Sequence, residues 1–357
     1  MAPEVAAVMR GLLDEPFGNP SSGHWAGAPA REVVEQARRQ VAGLLACAPA
    51  EVVFTSGGSE ANNHAIKGVW FARGRPGGHI VTTRIEHPAV LNPCRFLEGL
   101  GARVTYVPVD GMGRVDPGDI GRAITSETVL VSVMHANNEV GTIQSIREIA
   151  REAHERGVLF HTDAAQSVGK IAAEVDGLGA DLLSVAGHKL YAPKGVGALY
   201  VREGVRLEPL VHGAGHESGR RAGTENVLLD AALGAACELA RAWTGMPAVR
   251  ALRDLFHEGL RTRFGDALVL NGHPTERLPN TLNVSFRGRV GAEILARVPE
   301  IAASTGSACH AGRVALSPVL EAMGVAPETG MGAVRFSLGR ATTRAEIEAA
   351  LELLAAR

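Results

Sequence analysis

A chain of 357 residues with 46% apolar side chains can bury a sizeable core, and its length predicts two domains. Its 36 basic and 38 acidic side chains leave a formal charge of −2. That balance excludes the clustered positive surface that nucleic acid or an anionic membrane requires. No apolar run reaches the ~20 residues of a membrane span, and the opening Met1-Ala2-Pro3-Glu4-Val5 is not a secretory signal, so a cytoplasmic protein is expected.

β-Branched apolar runs at Val52–Thr55, His79–Thr82, Val104–Val107, Val129–Met134, Leu159–Thr162, Leu182–Val185 and Ala198–Val201 predict strands. Amphipathic patterns over Glu60–Arg73, Ala89–Leu100 and Ser145–Arg156 predict helices between several of them. This order predicts a mostly parallel sheet covered on both faces, with ligands beyond the carboxyl ends of its strands. Ala/Leu/Arg-rich helices follow over Leu228–Trp243 and Ala248–Phe264. Short strands at Ala267–Leu270, Thr281–Phe286 and Val334–Leu338 and a closing helix over Arg344–Ala356 then predict a smaller α+β domain. The expected division is a large domain over 1–245 and a small one over 246–357.

Residues that carry chemistry stand just after the predicted strands. Phe54-Thr55-Ser56-Gly57-Gly58-Ser59-Glu60 is a strand, a glycine turn and a helix start, which suits a phosphate but lacks nucleotide-loop spacing. Glu86-His87-Pro88 offers a histidine that could stack on a planar ring and move protons. His135-Ala136-Asn137-Asn138 offers an amide. Asp163, at the end of an apolar strand, is costly unless paired, and a protonated pyridine nitrogen would pair it, with Gln166 near the ring's phenolic oxygen. Ser184-Val185-Ala186-Gly187-His188-Lys189 presents one amine at a strand end before a Pro/Gly turn, as a Schiff base with pyridoxal phosphate requires.

Of Cys47, Cys94, Cys237 and Cys309, only the last lies among small polar residues, in Ser304-Thr305-Gly306-Ser307-Ala308-Cys309-His310-Ala311-Gly312. That setting suits a mobile loop with a reactive thiol. No C-x-x-C pair exists, and His212 and His216 fall in a glycine-rich loop, so no metal site is expected. Taken singly, each segment has a plainer reading: a Ser-capped turn, a structural histidine, an Asx turn, a helix-capping aspartate, a solvated lysine or a bystander thiol.

Together these segments resemble the cysteine desulfurases of the NifS/IscS-like group, within the class V aminotransferases. The resemblance runs from Phe17-Gly18-Asn19-Pro20-Ser21-Ser22 to Val334-Arg335-Phe336-Ser337-Leu338-Gly339-Arg340. It implies the type I, aspartate aminotransferase-like fold of pyridoxal 5′-phosphate enzymes and conversion of L-cysteine to L-alanine. In that reading Lys189 is the Schiff-base lysine, Asp163 faces the pyridine nitrogen, His87 stacks on the ring and Gln166 meets the phenolic oxygen. Gly58, Ser59, Ser184 and His188 match positions that hold the phosphate, and Asn138 matches a cofactor- and substrate-contacting amide. Thr224 matches a residue that reaches the phosphate of a partner subunit, which implies a homodimer. Arg335 matches the arginine of the substrate carboxylate. Cys309 matches the persulfide-forming cysteine, which passes sulfur to an acceptor protein; iron–sulfur cluster assembly, tRNA thiolation and selenium supply all stay open as the pathway.

The family's opening strand and Asn/Ala-Thr-Thr-Pro segment lie ahead of the position matched by Met1. His310 and Ser317-Pro318-Val319-Leu320 also resemble selenocysteine lyases. Another pyridoxal phosphate transferase, or an inactive sulfur-trafficking scaffold, stand as further alternatives.

Overall fold

The computed structural model describes residues 1–13, 17–73, 77–305 and 315–356. The chain forms two compact units. The first comprises Met1–Val107, Pro117–His135 and Ser145–Ala242, and the second Pro108–Asp116, Ala136–Gln144 and Trp243–Arg357.

In the first unit the strands are β1 (Val52–Thr55), β2 (His79–Thr83), β3 (Arg103–Val107), β4 (Thr128–Ser132), β5 (Leu159–Asp163), β6 (Leu182–Ala186) and β7 (Gly197–Val201). They build one sheet in the order β1-β7-β6-β5-β4-β2-β3. Neighbours from β6 to β3 are parallel, whereas β7 is antiparallel to both β6 and β1. Two reversals restore direction, so β1 runs with β6. Thr55, Thr83, Ser132, Asp163 and Ala186 therefore end at one edge of the sheet, and that edge positions the site.

The helices of this unit are α1 (Pro3–Gly11), α2 (Ala28–Leu45), α3 (Gly58–Arg73), α4 (Pro88–Glu98), α5 (Pro117–Ala123), α6 (Ile146–His154), α7 (Val175–Leu178) and α8 (Val227–Ala242). Their apolar stripes explain why they form. In α6, Ile146, Ile149, Ala150 and Ala153 are buried at helical spacing. Helix α3 packs Ala61, Ala65, Ile66 and Val69 with Val53, Ile80, Leu130 and Leu182 of the strands. Each of these residues is fully buried.

A long-range ion pair covers the outer side of edge strand β1. Arg38 of α2 grips Glu217 with two bonds of 2.8 Å and donates to the Val52 carbonyl at 2.8 Å. Glu217 in turn accepts from the Phe54 N–H at 2.9 Å. Burial alone would lower the Arg38 pKa, but its bonds and charge interaction with Glu217 outweigh that and hold it above its ordinary value. Glu217 takes this position with a left-handed φ of 50°, a strain that the buried fork overcomes.

The second unit has its own core. Strands β8 (Leu268–Leu270), β9 (Thr281–Phe286) and β10 (Ala333–Ser337) form an antiparallel sheet in the order β10-β9-β8. Its helices are α9 (Met246–Phe264), α10 (Gly291–Arg297), α11 (Pro318–Ala322), α12 (Pro327–Gly330) and α13 (Arg344–Ala355). Phe256, Leu260, Val284, Phe286, Phe336 and Leu351 join in one apolar cluster. Phe256 and Phe336 meet edge to face at 4.9 Å. Among the described residues no helix is long and apolar enough to cross a membrane.

Candidate active site

The turn between β1 and α3 is a tight one with two glycines. Gly57 has φ 144°, which a side chain rarely tolerates. Gly58 opens the helix so close to β6 that an added Cβ would stand 3.1 Å from the Ala186 Cβ. The first N–H groups of α3 and the exposed hydroxyl of Ser59 are suited to an anion. Glu60 steadies the turn by accepting from the Ser56 N–H at 2.7 Å and from Arg221 at 2.9 Å. Burial would raise the Glu60 pKa, but these partners overcome it and keep the carboxyl below its ordinary range.

Asp163 closes β5. One of its oxygens accepts from Asn62 of α3 at 2.7 Å and the other from the Ala165 N–H at 2.9 Å. Burial pushes its pKa up against those bonds and against the positive influence of His87. A buried carboxylate held only by neutral donors suits a cationic partner, and a protonated pyridine nitrogen supplies one. The residues present therefore fit pyridoxal phosphate. Gln166 stands half-buried one turn beyond Asp163, and its carbonyl accepts from Lys170 Nζ at 2.8 Å.

His87 is exposed and caps α4, its Nδ1 accepting from the Ala89 N–H at 3.0 Å. In the neutral ring this bond assigns the proton to Nε2.

Lys189 lies in a short helical turn, Gly187–Leu190, directly after β6. Gly187 is required there: an added Cβ would meet the Val196 carbonyl oxygen at 2.8 Å. Tyr191 then adopts a left-handed φ of 65°, and the Ala192 N–H returns to the Gly187 carbonyl at 3.1 Å. His188 and Lys189 are both exposed. Partial burial, then Lys189, Lys194 and Lys170, draw the His188 pKa down. Burial and the Lys189 charge bring Lys170 to about 7. This crowd of cations suits a phosphate or a carboxylate.

Ser184 departs from its expected role. It is fully buried, and its hydroxyl lies 3.0 Å from His161 Nε2, while His161 Nδ1 meets the Ser132 hydroxyl at 2.8 Å. Its side chain braces the sheet below the edge instead of reaching a phosphate. Burial pushes His161 down to about 3, so this Ser–His–Ser ladder is neutral.

Thr224 is exposed and borders a cavity of about 250 Å³, together with Ser56, Arg221 and Asp230. Two contributors escaped the sequence reading: Asn62 and the Arg221–Glu60 pair. Asn62 had a visible signal, being a polar residue on the apolar stripe of α3.

Within the second unit, Arg335 on β10 donates from Nη1 to the Asn138 carbonyl at 2.9 Å. Its Nε is buried and without a hydrogen-bond partner, so the fork keeps donor capacity for a carboxylate. The Asn138 loop is held by bonds from Asn283 to the Glu139 carbonyl and from Arg277 to the Val140 carbonyl, each 3.0 Å. Cys309 and its neighbour His310 lie outside the described residues.

A seven-stranded, mostly parallel sheet with an amine, a buried carboxylate and a glycine-led helix start along one edge fits a pyridoxal phosphate enzyme of fold type I. Comparison with known proteins agrees. The family model "Aminotransferase class-V" matches residues 1–350. A curated relative, cysteine desulfurase IscS of Dictyoglomus turgidum, is 46% identical over 98% of this chain and 90% of its own. A solved structure titled NifS-like protein is 35% identical, with a TM-score of 0.93 over 100% of this chain and 95% of that one. Another, titled SspA in complex with cysteine, is 37% identical, with a TM-score of 0.85 over 95% of each chain. The chain belongs to the class-V aminotransferase family, among its cysteine desulfurases.

Proposed function

We propose that this desulfurase moves sulfur from L-cysteine onto Cys309 as a persulfide, releases L-alanine, and then hands the sulfur to an acceptor protein. The buried Asp163 carboxylate at the strand edge that also carries the Lys189 turn is the observation that supports this most. When bound, pyridoxal phosphate supplies the electron sink that lets the substrate's Cα–H and Cβ–S bonds break.

The chain's own groups do the rest. The Asp163 carboxylate holds a proton on the ring nitrogen, His87 stacks on the ring and Gln166 bonds its phenolic oxygen. The Gly58 and Ser59 N–H groups, the Ser59 hydroxyl and His188 take the phosphate. Lys189 Nζ removes the α-proton. Arg335 forks onto the substrate carboxylate beside Asn138. The Cys309 thiolate attacks the substrate sulfur, so that an S–S bond forms as the Cβ–S bond breaks; protonation of the three-carbon product yields alanine.

Thr224 would act across a homodimer. The nearly complete exposure of Phe17 (102%) and Trp25 (88%) supports an apolar contact with a second copy. The acceptor would serve iron–sulfur cluster assembly or tRNA thiolation, in the cytoplasm.

The holoenzyme should form one alanine per cysteine consumed and turn over only with a thiol or acceptor present. Selenocysteine, assayed in parallel, separates this reading from a lyase for that amino acid. Arg335→Lys should raise KM for cysteine roughly 10- to 100-fold, the loss of a charged bidentate bond of about 1.5–3 kcal/mol, and leave kcat less affected. An unchanged KM would remove Arg335 from the carboxylate role.

A further inference from the structure

Glu86 stands immediately before His87, and nothing in the reaction scheme uses it. It is buried, and its two oxygens accept from the Met134 N–H at 3.0 and 3.1 Å. One of them also accepts from the Thr83 hydroxyl at 2.7 Å. Thr83 is the last residue of β2, and Met134 lies just past the end of β4. The next amide along, His135 N–H, donates to the Asp163 carbonyl at 2.9 Å. A short chain of bonds thus links the turn that carries His87, through Met134 and His135, to the strand end that carries Asp163.

We propose that Glu86 is a positioning residue of the reaction site: its carboxyl clasps the ends of β2 and β4 and thereby sets the spacing between His87 and Asp163, the groups facing the cofactor ring. This rests on the ring-stacking role of His87. The β2–β4 register runs as far as Thr82 and Ser132, and beyond it the Glu86 carboxyl ties Thr83 to the Met134 amide. Glu86 supplies that bridge where a ring must fit between two groups. Burial raises its pKa to about 8, against the pull of the Met134 and Thr83 bonds, and the Asp163 charge adds to the rise. Among the charged or ionisable groups around it are Asp163 on β5 and Cys94 on α4, whose thiol is pushed up to about 12 by burial and by Glu86.

The test is a double-mutant cycle on the pyridoxal phosphate-loaded enzyme with Glu86→Ala, His87→Ala and both together. It reads the visible circular dichroism of the bound cofactor and its dissociation constant as well as kcat. Glu86→Ala should diminish the visible signal and lower kcat about tenfold, with an effect largely absent in the His87→Ala background, since contacting residues that act through one another are non-additive. Glu86→Gln, which keeps an acceptor oxygen for Met134 and Thr83, should restore both to within about twofold of the parent. If Glu86→Ala does not fold, Thr83→Val removes one bond of the clasp at nearly constant shape and carries the same cycle at smaller amplitude. Additive effects, or a parent-like signal and kcat in folded Glu86→Ala, would overturn the inference while leaving His87 in place. An inert His87→Ala would overturn both.

Discussion

Cys309→Ala should leave an enzyme that binds pyridoxal phosphate and L-cysteine with parent-like colour yet forms no persulfide and turns over no cysteine. The nucleophile that takes the sulfur is then missing, while no group at the sheet edge has changed. The other cysteines are poor substitutes. Burial pushes the thiols of Cys47, Cys94 and Cys237 up to about 12 each, so almost none of any is thiolate at neutral pH. Alanine formation, measured directly, checks this. Sustained parent-like turnover by the variant would remove Cys309 from the mechanism.

Asp163→Asn should separate cofactor binding from catalysis. An asparagine fits the site, because Asn62 can turn its amide. The Asn62 Oδ1, buried and without a hydrogen-bond partner, would then accept from the new NH₂ group. The variant should therefore fold and keep its lysine-bound cofactor. It cannot hold a proton on the ring nitrogen, and removing one partner of a buried pair costs about 3–5 kcal/mol, or roughly a hundred- to several-thousand-fold in kcat.

The apoenzyme should respond in the opposite direction. Burial raises the folded-state pKa of Asp163 above its unfolded value. The stability linked to its proton is present below the unfolded pKa and is lost as pH rises through the folded one. Apo Asp163→Asn lacks that loss and should resist urea better than the parent apoprotein at neutral pH. A variant with parent-like kcat, or an apoprotein less stable than the parent at every pH, would contradict the role given to Asp163.

Much of the fold could be read in the sequence because parallel strands are buried on both faces and so read as unbroken apolar runs. Leu159–Asp163 and Leu182–Ala186 are strands within a residue of the positions their residues indicate. The Lys189 turn was visible for a related reason: small residues and a Pro/Gly pair leave little besides a tight turn at a strand end.

Residues that act through distant partners were hidden. Arg38 and Glu217 are 179 positions apart and have no local signature. Glu86 looks like part of an ordinary turn until the Met134 amide is seen against it. Segments 108–116 and 136–144 join the second unit through long-range contacts that no local pattern records. Ser184 could have been read better. Leu182, Ser184 and Ala186 alternate onto one face of β6, and the middle one lies below the edge, against His161.

The chemistry of the site turns on which amine holds the cofactor. Lys170, Lys189 and Lys194 all influence His188, so the region offers more than one choice. Borohydride reduction of the holoenzyme, followed by peptide mass mapping, fixes the attachment point irreversibly. Pyridoxyl label on Lys189 alone is the predicted result; label on Lys170 or Lys194 would contradict the site described above.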